Sequence, residues 1–159
     1  MEYGPRALGN RSILADPGRP EMRDRINAMV KKREAFRPFA PACTVEEAHR
    51  WFEMAPGTEM PYMINVVDVR PEARALLPAI THVNGSARLQ TVSKSDNPDF
   101  HALLLAVGET TGRQMVLNTS FNVKGQPIVN TPEEAIETFL GTGIEFLFLE
   151  DCYVTRATV

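Results

Sequence analysis

The sequence predicts an α/β domain in which helices flank a mixed, twisted sheet. Amphipathic helical patterns alternate along the chain with short β-branched runs, and an Asn-Gly pair between two such runs is typical of a β-hairpin. The 159 residues are 43% hydrophobic and 23% charged, a composition that suits one globular domain with a substantial core. We therefore expect a single domain over residues 1–159.

The first half of the chain is predicted to hold two helices and one strand. Residues 1–19 are rich in Gly, Pro and Arg, which indicates an extended entry with loops. A helix with an apolar face is predicted over residues 20–34, with a proline at its first position. The Thr-Val-Glu-Glu sequence at residues 44–47 is a capping-box pattern that predicts a short helix. Residues 62–69 predict a strand, and residues 71–77 predict one or two helical turns.

The middle of the chain is predicted to form a hairpin and a longer helix. Residues 80–83 and 87–92 flank the Asn-Gly pair and are expected to be its two strands. Asn97 is a suitable N-cap, followed by a proline, and Gly112 is expected to end the helix. The predicted buried stripe of this helix consists of Phe100, Leu103, Leu104 and Val107.

The last third is predicted to contain a strand, a capped helix and a strand pair. Residues 115–118 predict a short buried strand, and residues 119–126 predict a polar loop. Residues 131–134 form a second capping box, and residues 144–149 and 153–156 are expected to pair as strands. The helix after this capping box is predicted to bury Ala135, Ile136, Phe139 and Leu140 and to end near residues 141–143.

The charge distribution favours a small anionic ligand over nucleic acid. The chain has a formal net charge of −3, whereas residues 1–40 hold nine Lys and Arg against five Asp and Glu. A globally acidic chain is a poor candidate for non-specific nucleic-acid binding, because that affinity comes mostly from neutralising phosphates. A local basic segment on an acidic body fits a compact anion better.

Other classes of protein are disfavoured by what the sequence lacks. The longest apolar runs, such as residues 102–107, are too short to span a bilayer, and no secretory signal is visible. Cys43 and Cys152 lie far apart without metal-ligand spacing, and the three histidines are isolated. We therefore expect neither a disulfide framework nor a metal centre, and a reducing, cytoplasmic setting.

Two basic segments near the start of the chain could bind phosphate. Residues 4–12 combine glycines, which let backbone N–H groups approach an anion, with the two-pronged guanidinium of Arg6. Residues 31–41 hold four cations, the last of which, Arg37, begins a rigid Arg-Pro-Phe-Ala-Pro run that would hold it in one direction. Ordinary explanations are a turn whose arginine binds carbonyl oxygens and a solvated helix end, and the residues alone leave these open.

Two further candidates lie on or just after predicted strands. Residues 117–127 place amide and hydroxyl side chains after a buried strand, where α/β sheets bind ligands. These groups can donate to phosphate or to a carbamoyl group, or they can satisfy one another within a turn. Arg88 alternates with Leu89 on a hairpin strand, so it is either a ligand-binding cation or a solvated strand charge.

Four long motifs then follow one another along the chain. They are EYGPRALGNRSILADP at residues 2–17, INAMVKKRE and FRPFAP within residues 26–41, PAITHVNGSARLQTV at residues 78–92, and NTSFNVKGQPIV at residues 118–129. Together they resemble, in order and over nearly the whole chain, the C-terminal domain of the nodulation and antibiotic O-carbamoyltransferases.

This resemblance implies a YrdC-like α/β fold, a mixed twisted sheet with flanking helices, over residues 1–159. It also implies that this domain takes carbamoyl phosphate and ATP, with Mg²⁺, and forms carbamoyl adenylate while phosphate and pyrophosphate are released. Members of the family carry an N-terminal actin-like domain, absent from this chain, where a metal site helps transfer the carbamoyl group to an alcohol. No metal centre of its own is implied for this chain.

The resemblance also assigns roles to seven residues. Four cations would bind the phosphates of carbamoyl phosphate and ATP: Arg6, Lys31, Arg37 and Arg88. Three residues of the last motif would hold the carbamoyl group or an adjacent phosphate: Asn118, Thr119 and Ser120. Lys31, Arg37 and Arg88 are the candidate catalytic residues, because cations must bring two polyanions together. Lys31 is preferred to its neighbour Lys32 since it lies six residues before Arg37.

A second function is carried alongside this one. A non-catalytic YrdC-like module could hold a nucleotide or RNA in a basic concavity. The acidic charge balance and the lack of an aromatic stacking platform favour it less than the enzyme domain.

Overall fold

The computed structural model describes residues 6–31 and 39–156, and in this part a five-stranded sheet carries the helices. Its strands are β1 (Ser12–Ala15), β2 (Ala40–Thr44), β3 (Asn65–Asp68), β4 (Ser86–Val92) and β5 (Met115–Ser120). Their spatial order is β1-β5-β2-β4-β3; β2 and β4 are parallel and the other neighbours are antiparallel. The mixed α/β sheet that the sequence predicts is therefore present.

The α-helices are α1 (Pro20–Ile26), α2 (Ala48–Trp51), α3 (Pro98–Thr111) and α4 (Pro132–Leu140). The two longest are α3 and α4, which precede and follow β5 along the chain. α1 is prolonged by a π-helical segment, Asn27–Lys31, and a 3₁₀ helix spans Pro71–Leu76, where one or two helical turns are predicted. The predicted helix over residues 20–34 is thus present as far as Lys31, and its last three residues lie outside the described ranges.

The two longer helices begin and end as the sequence predicts. The Asn97 side chain accepts a hydrogen bond from the Phe100 amide, and Gly112 ends α3 in the left-handed conformation with φ +72°. In the second capping box, Thr131 accepts from the Glu134 amide and the Glu134 carboxylate accepts from the Asn130 amide at 2.7 Å. The stripes are narrower than predicted, because three of their expected members are exposed: Leu103, Ile136 and Leu140.

The first capping box is a wrong prediction. Thr44 is the last residue of the central strand β2, and its hydroxyl donates to Gln114 Oε1 at 2.7 Å instead of capping a helix. The buried Glu47 carboxylate accepts from the Gln114 amide at 2.6 Å, and α2 begins one residue later without a side-chain cap. The Thr44 hydroxyl and the Glu47 carboxylate, which the local pattern assigned to a helix cap, thus form hydrogen bonds with Gln114 instead.

The predicted hairpin has the right turn and the wrong partner strand. Gly85 has φ +83° and the Asn84 side-chain Oδ1 accepts from the Ser86 amide, so the Asn-Gly turn is present. Residues 80–83 are not a strand, however, and β4 instead pairs with the more distant β3. The expected strand over residues 62–69 is correspondingly shorter, and the segment expected to be loops before residue 20 contains β1.

The two faces of the sheet are covered unequally. One face is covered by α1, α2 and the 3₁₀ helix, which pack in a core that includes Leu89 and Leu117. On the other face α3 packs its Phe100 and Leu104 against Val92 and Val116. Alternate positions toward the other end of these strands are Arg88 on β4 and Asn118 and Ser120 on β5, beyond the region that α3 covers. Polar side chains therefore occupy the uncovered half of this face.

The C-terminal strand pair forms a separate small sheet. β6 (Phe146–Leu149) and β7 (Cys152–Thr155) pair antiparallel as predicted, and they pack against α4 in a second apolar cluster that includes Leu147 and Phe139. Within the described ranges no helix is long and apolar enough to cross a membrane.

Candidate functional site

A cavity of about 220 Å³ lies on the uncovered half of the sheet. It is bounded by the turn before β1, the end of the π-helical segment, and strands β2, β4 and β5. The cavity therefore joins segments that are far apart in sequence. Its lining residues are Arg6, Ala7, Leu8, Lys31, Phe39, Ala40, Met63, Arg88, Asn118, Thr119, Ser120 and Asn122.

The lining carries three cations and, among the described residues, no carboxylate. The cations are Arg6, Lys31 and Arg88, so an acidic chain presents a concave surface of opposite sign. Arg6 Nε is buried and has no hydrogen-bond partner within residues 6–31 and 39–156, which marks a donor available to a ligand. A second concavity, beside α4, is lined by Glu134 and Glu137 and, within the described part of the chain, by no cation, so it is unsuited to an anion.

Lys31 lies at the end of β5, where oxygen atoms of two residues accept hydrogen bonds from its ammonium group. Its side chain is buried, and Nζ donates to the Ser120 carbonyl at 2.6 Å and to Asn122 Oδ1 at 2.7 Å. Longer contacts of 3.1 Å reach Ser120 Oγ and the Asn122 carbonyl, and Ser120 Oγ itself donates to Asn122 Oδ1. These four acceptors set the position of the ammonium group.

Asn118 is fixed by a second chain of hydrogen bonds. Its side chain is 2% exposed, and Nδ2 donates to Gln90 Oε1 at 2.8 Å. Gln90 Nε2 in turn donates to the Leu8 carbonyl at 3.2 Å, in the turn next to Arg6. That turn needs Gly9, because φ is +105° there and a β-carbon would collide with the Phe100 ring.

The positive charge of Arg88 acts on His82, which lies in the turn before β4. Burial, and then the Arg88 guanidinium, lower the pKa of His82 below its ordinary range. His82 Nδ1 lies 3.2 Å from Ser86 Oγ, within the Asn-Gly turn that leads into β4. At neutral pH this histidine is therefore uncharged beside a permanent cation, and Arg88 supplies the positive charge.

Six of the seven residues singled out in the sequence line this one cavity: Arg6, Lys31, Arg88, Asn118, Thr119 and Ser120. Arg37 lies outside the described residues. Side chains alternate between the two faces of the sheet along β5. The Thr119 side chain therefore points to the face opposite from those of Asn118 and Ser120, although the residue is among those that line the cavity. Arg88 lines the cavity, and its role as a ligand-binding cation stays a prediction.

Two polar residues of the site were missed by sequence reasoning. Asn122 lies within the polar segment after β5, and its Oδ1 accepts hydrogen bonds from Lys31 and Ser120. Its amide side chain and its position in that segment were the signals that could have identified it. Gln90 is two residues after Arg88 and therefore on the same face of β4, a signal that strand periodicity carries. The contact of Gln90 with Leu8 had no local signal, because it joins residues 82 positions apart.

Comparisons with known proteins agree on one family. Residues 1–156 match the family model described as the carbamoyltransferase C-terminus. The chain is 52% identical over 92% of its length to nodulation protein NolO of Bradyrhizobium diazoefficiens, and 41% identical over 98% to the 3'-hydroxymethylcephem-O-carbamoyltransferase of Amycolatopsis lactamdurans. It covers 27% and 29% of those two proteins, so it spans little more than a quarter of their length.

Proposed function

The chain belongs to the family of carbamoyltransferase C-terminal domains, and from that membership we propose that its cavity binds carbamoyl phosphate and ATP and forms carbamoyl adenylate. The observation that carries the proposal is the cavity itself. It combines three cations, no carboxylate among its described lining residues and a row of amide and hydroxyl groups. The adenylate would serve an O-carbamoyl transfer to an alcohol.

The cations suit the main physical obstacle, which is the repulsion between two phosphate-bearing substrates. Arg6 and Arg88 both line the cavity, and each guanidinium can bind two phosphate oxygens at once. Lys31 adds a point charge whose position is set by Ser120 and Asn122. Preorganised charges of this kind stabilise charge that shifts between oxygens in phosphoryl-group chemistry. Arg37 joins this set through the family motif alone.

The proposed reaction balances as two displacements. Water first releases phosphate from carbamoyl phosphate and leaves carbamate. A carbamate oxygen then attacks the α-phosphorus of ATP, which forms the carbamoyl–phosphate anhydride bond of the adenylate and expels pyrophosphate. Carbamate is already an anion, so the second step needs no general base. Mg²⁺ would enter with ATP as part of that substrate.

The remaining parts of the proposal concern the protein around this site. We infer that the acceptor alcohol is bound by an N-terminal actin-like domain, since the matched relatives are much longer than this chain. A cytoplasmic setting is supported by Cys43 and Cys152, which are both free thiols in the described structure.

The test is pyrophosphate release by the purified chain with Mg²⁺, ATP and carbamoyl phosphate. We expect release only when both substrates are present, and a loss of at least about tenfold in Arg88→Gln, because a charge-assisted phosphate contact is removed. Arg19→Gln is the matched control, since Arg19 is exposed and, among the described residues, forms its ion pair with Asp16 on the surface. The control is expected to match the unmodified chain.

Two other results would change the conclusion. Calorimetric binding of carbamoyl phosphate without pyrophosphate release would limit this chain to the binding step. Failure to bind either substrate, together with oligonucleotide affinity that falls steeply with salt, would overturn the proposal in favour of a nucleic-acid module.

A further inference from the structure

Gln90 lies behind the cavity and touches its wall through both ends of its amide. The side chain is 4% exposed, and its two hydrogen bonds join Asn118 on β5 to the Leu8 carbonyl in the turn before β1. Gln90 does not line the cavity itself. Its effect on a ligand must therefore pass through the residue that it holds.

The direction of both amides follows from the Leu8 carbonyl. A carbonyl oxygen only accepts, so Gln90 must turn Nε2 toward Leu8 and Oε1 toward Asn118. Gln90 Oε1 also only accepts, so Asn118 must present Nδ2 to it. Within the described residues Asn118 makes no hydrogen bond through Oδ1, which is left as the acceptor that this amide offers to the cavity.

An acceptor at this place is the chemical complement of the cations. Arg6, Lys31 and Arg88 are donors only, and they fit the phosphate and carbonyl oxygens of a carbamoyl phosphate. The amino group of that molecule is its only N–H donor and needs an oxygen acceptor. Asn122 Oδ1 is already used by Lys31 and Ser120, whereas Asn118 Oδ1 is not engaged within the described residues.

Resting on the proposed function, we propose that Gln90 is a positioning residue that makes Asn118 an acceptor for the carbamoyl N–H group. The pair thereby selects a carbamoyl phosphate over an acyl phosphate that carries a methyl group in place of the amino group. Acetyl phosphate is the matched probe, because it keeps the phosphate, the carbonyl and nearly the same size. A site that hydrogen-bonds an N–H group discriminates against an analogue lacking it, because a buried acceptor is then left unpaired.

The experiment compares the two ligands by calorimetry on the full chain. We expect the unmodified chain to prefer carbamoyl phosphate by at least about tenfold. Gln90→Met keeps the length and removes both hydrogen bonds, which frees the Asn118 amide to turn. It is expected to lose about five- to tenfold of the preference, with acetyl phosphate affinity changed less than about twofold. Gln126→Met, on an exposed loop residue, is the control.

The ratio of affinities separates a positioning role from general damage, because a loosened cavity would weaken both ligands together. If the unmodified chain binds both ligands equally, or if Gln90→Met keeps the full preference, the inference is wrong while the proposed function stands. The first of these outcomes needs no variant, so a misfolded Gln90→Met protein does not protect the inference. If the unmodified chain binds neither ligand, the proposed function itself fails.

Discussion

Replacing Lys31 by methionine tests whether the cavity is held together by the cation that it offers to a ligand. Methionine keeps the length of the side chain and removes the ammonium group with its three protons. Those protons serve the Ser120 carbonyl at 2.6 Å, Asn122 Oδ1 at 2.7 Å and two acceptors at 3.1 Å. The substitution therefore leaves the end of β5 without its central donor.

The expected loss of stability follows from these contacts. A hydrogen bond to a charged group contributes about 1.5–3 kcal/mol, so three of them set a ceiling of several kcal/mol. Water that enters the cavity would form some of the lost hydrogen bonds, and the variant no longer bears the desolvation cost of a buried ammonium group. We expect a net loss of about 2 kcal/mol, which lowers the urea midpoint by about 1 M for a slope of about 2 kcal/mol per M.

The measurement is urea unfolding with and without inorganic phosphate. Lys94→Met, at an exposed position outside the cavity, is the matched control and is expected to keep the midpoint within about 0.25 M. Phosphate is expected to stabilise the unmodified chain and the control but to have little effect on Lys31→Met. A Lys31→Met midpoint equal to that of the control would refute the structural role, and unchanged stabilisation by phosphate would refute the binding role.

Two further predictions concern titratable groups. Burial and two nearby carboxylates raise the pKa of Cys43 well above its ordinary value, so we expect Ellman's reagent to label only Cys152 in the native chain and both thiols in urea. Fast labelling of two native thiols would contradict the burial. The lowered pKa of His82 means that its NMR titration midpoint lies below the ordinary range, and Arg88→Gln is expected to move it upward because one cause is removed. If the His82 midpoint stays the same in that variant, the Arg88 charge does not influence His82.

The elements that sequence predicted well are those whose signals are local. Asn97 and Gly112 delimit α3, and Thr131 caps α4, because capping groups and positive φ act within a few residues. The failures lie where distant partners decide. Thr44 ends a central strand that contains Pro41, and the strand exists because β4 and β5 flank it on both sides.

The candidate site divides in the same way. Residue type and position on a strand indicated Arg88, Asn118 and Ser120 as candidates, whereas Lys31 was indicated by the resemblance to the family motif. The hydrogen bonds among these residues could not be predicted, because they depend on which oxygen atom faces which donor in the folded chain. The direction of the Asn118 amide is the example, since it is set by the Leu8 carbonyl from the other end of the chain.

The strand order has a consequence for how the chain acquires its shape during synthesis. β1 and β2 are both neighbours of β5, and β2 also needs β4, so the first two strands emerge long before their partners. Such distant pairings fold slowly, since a long loop must close before any contact forms. The early segments that carry Arg6 and Lys31 therefore reach their places beside β5 only after residue 120 has been synthesised, and a nascent chain stopped short of β5 lacks this cavity.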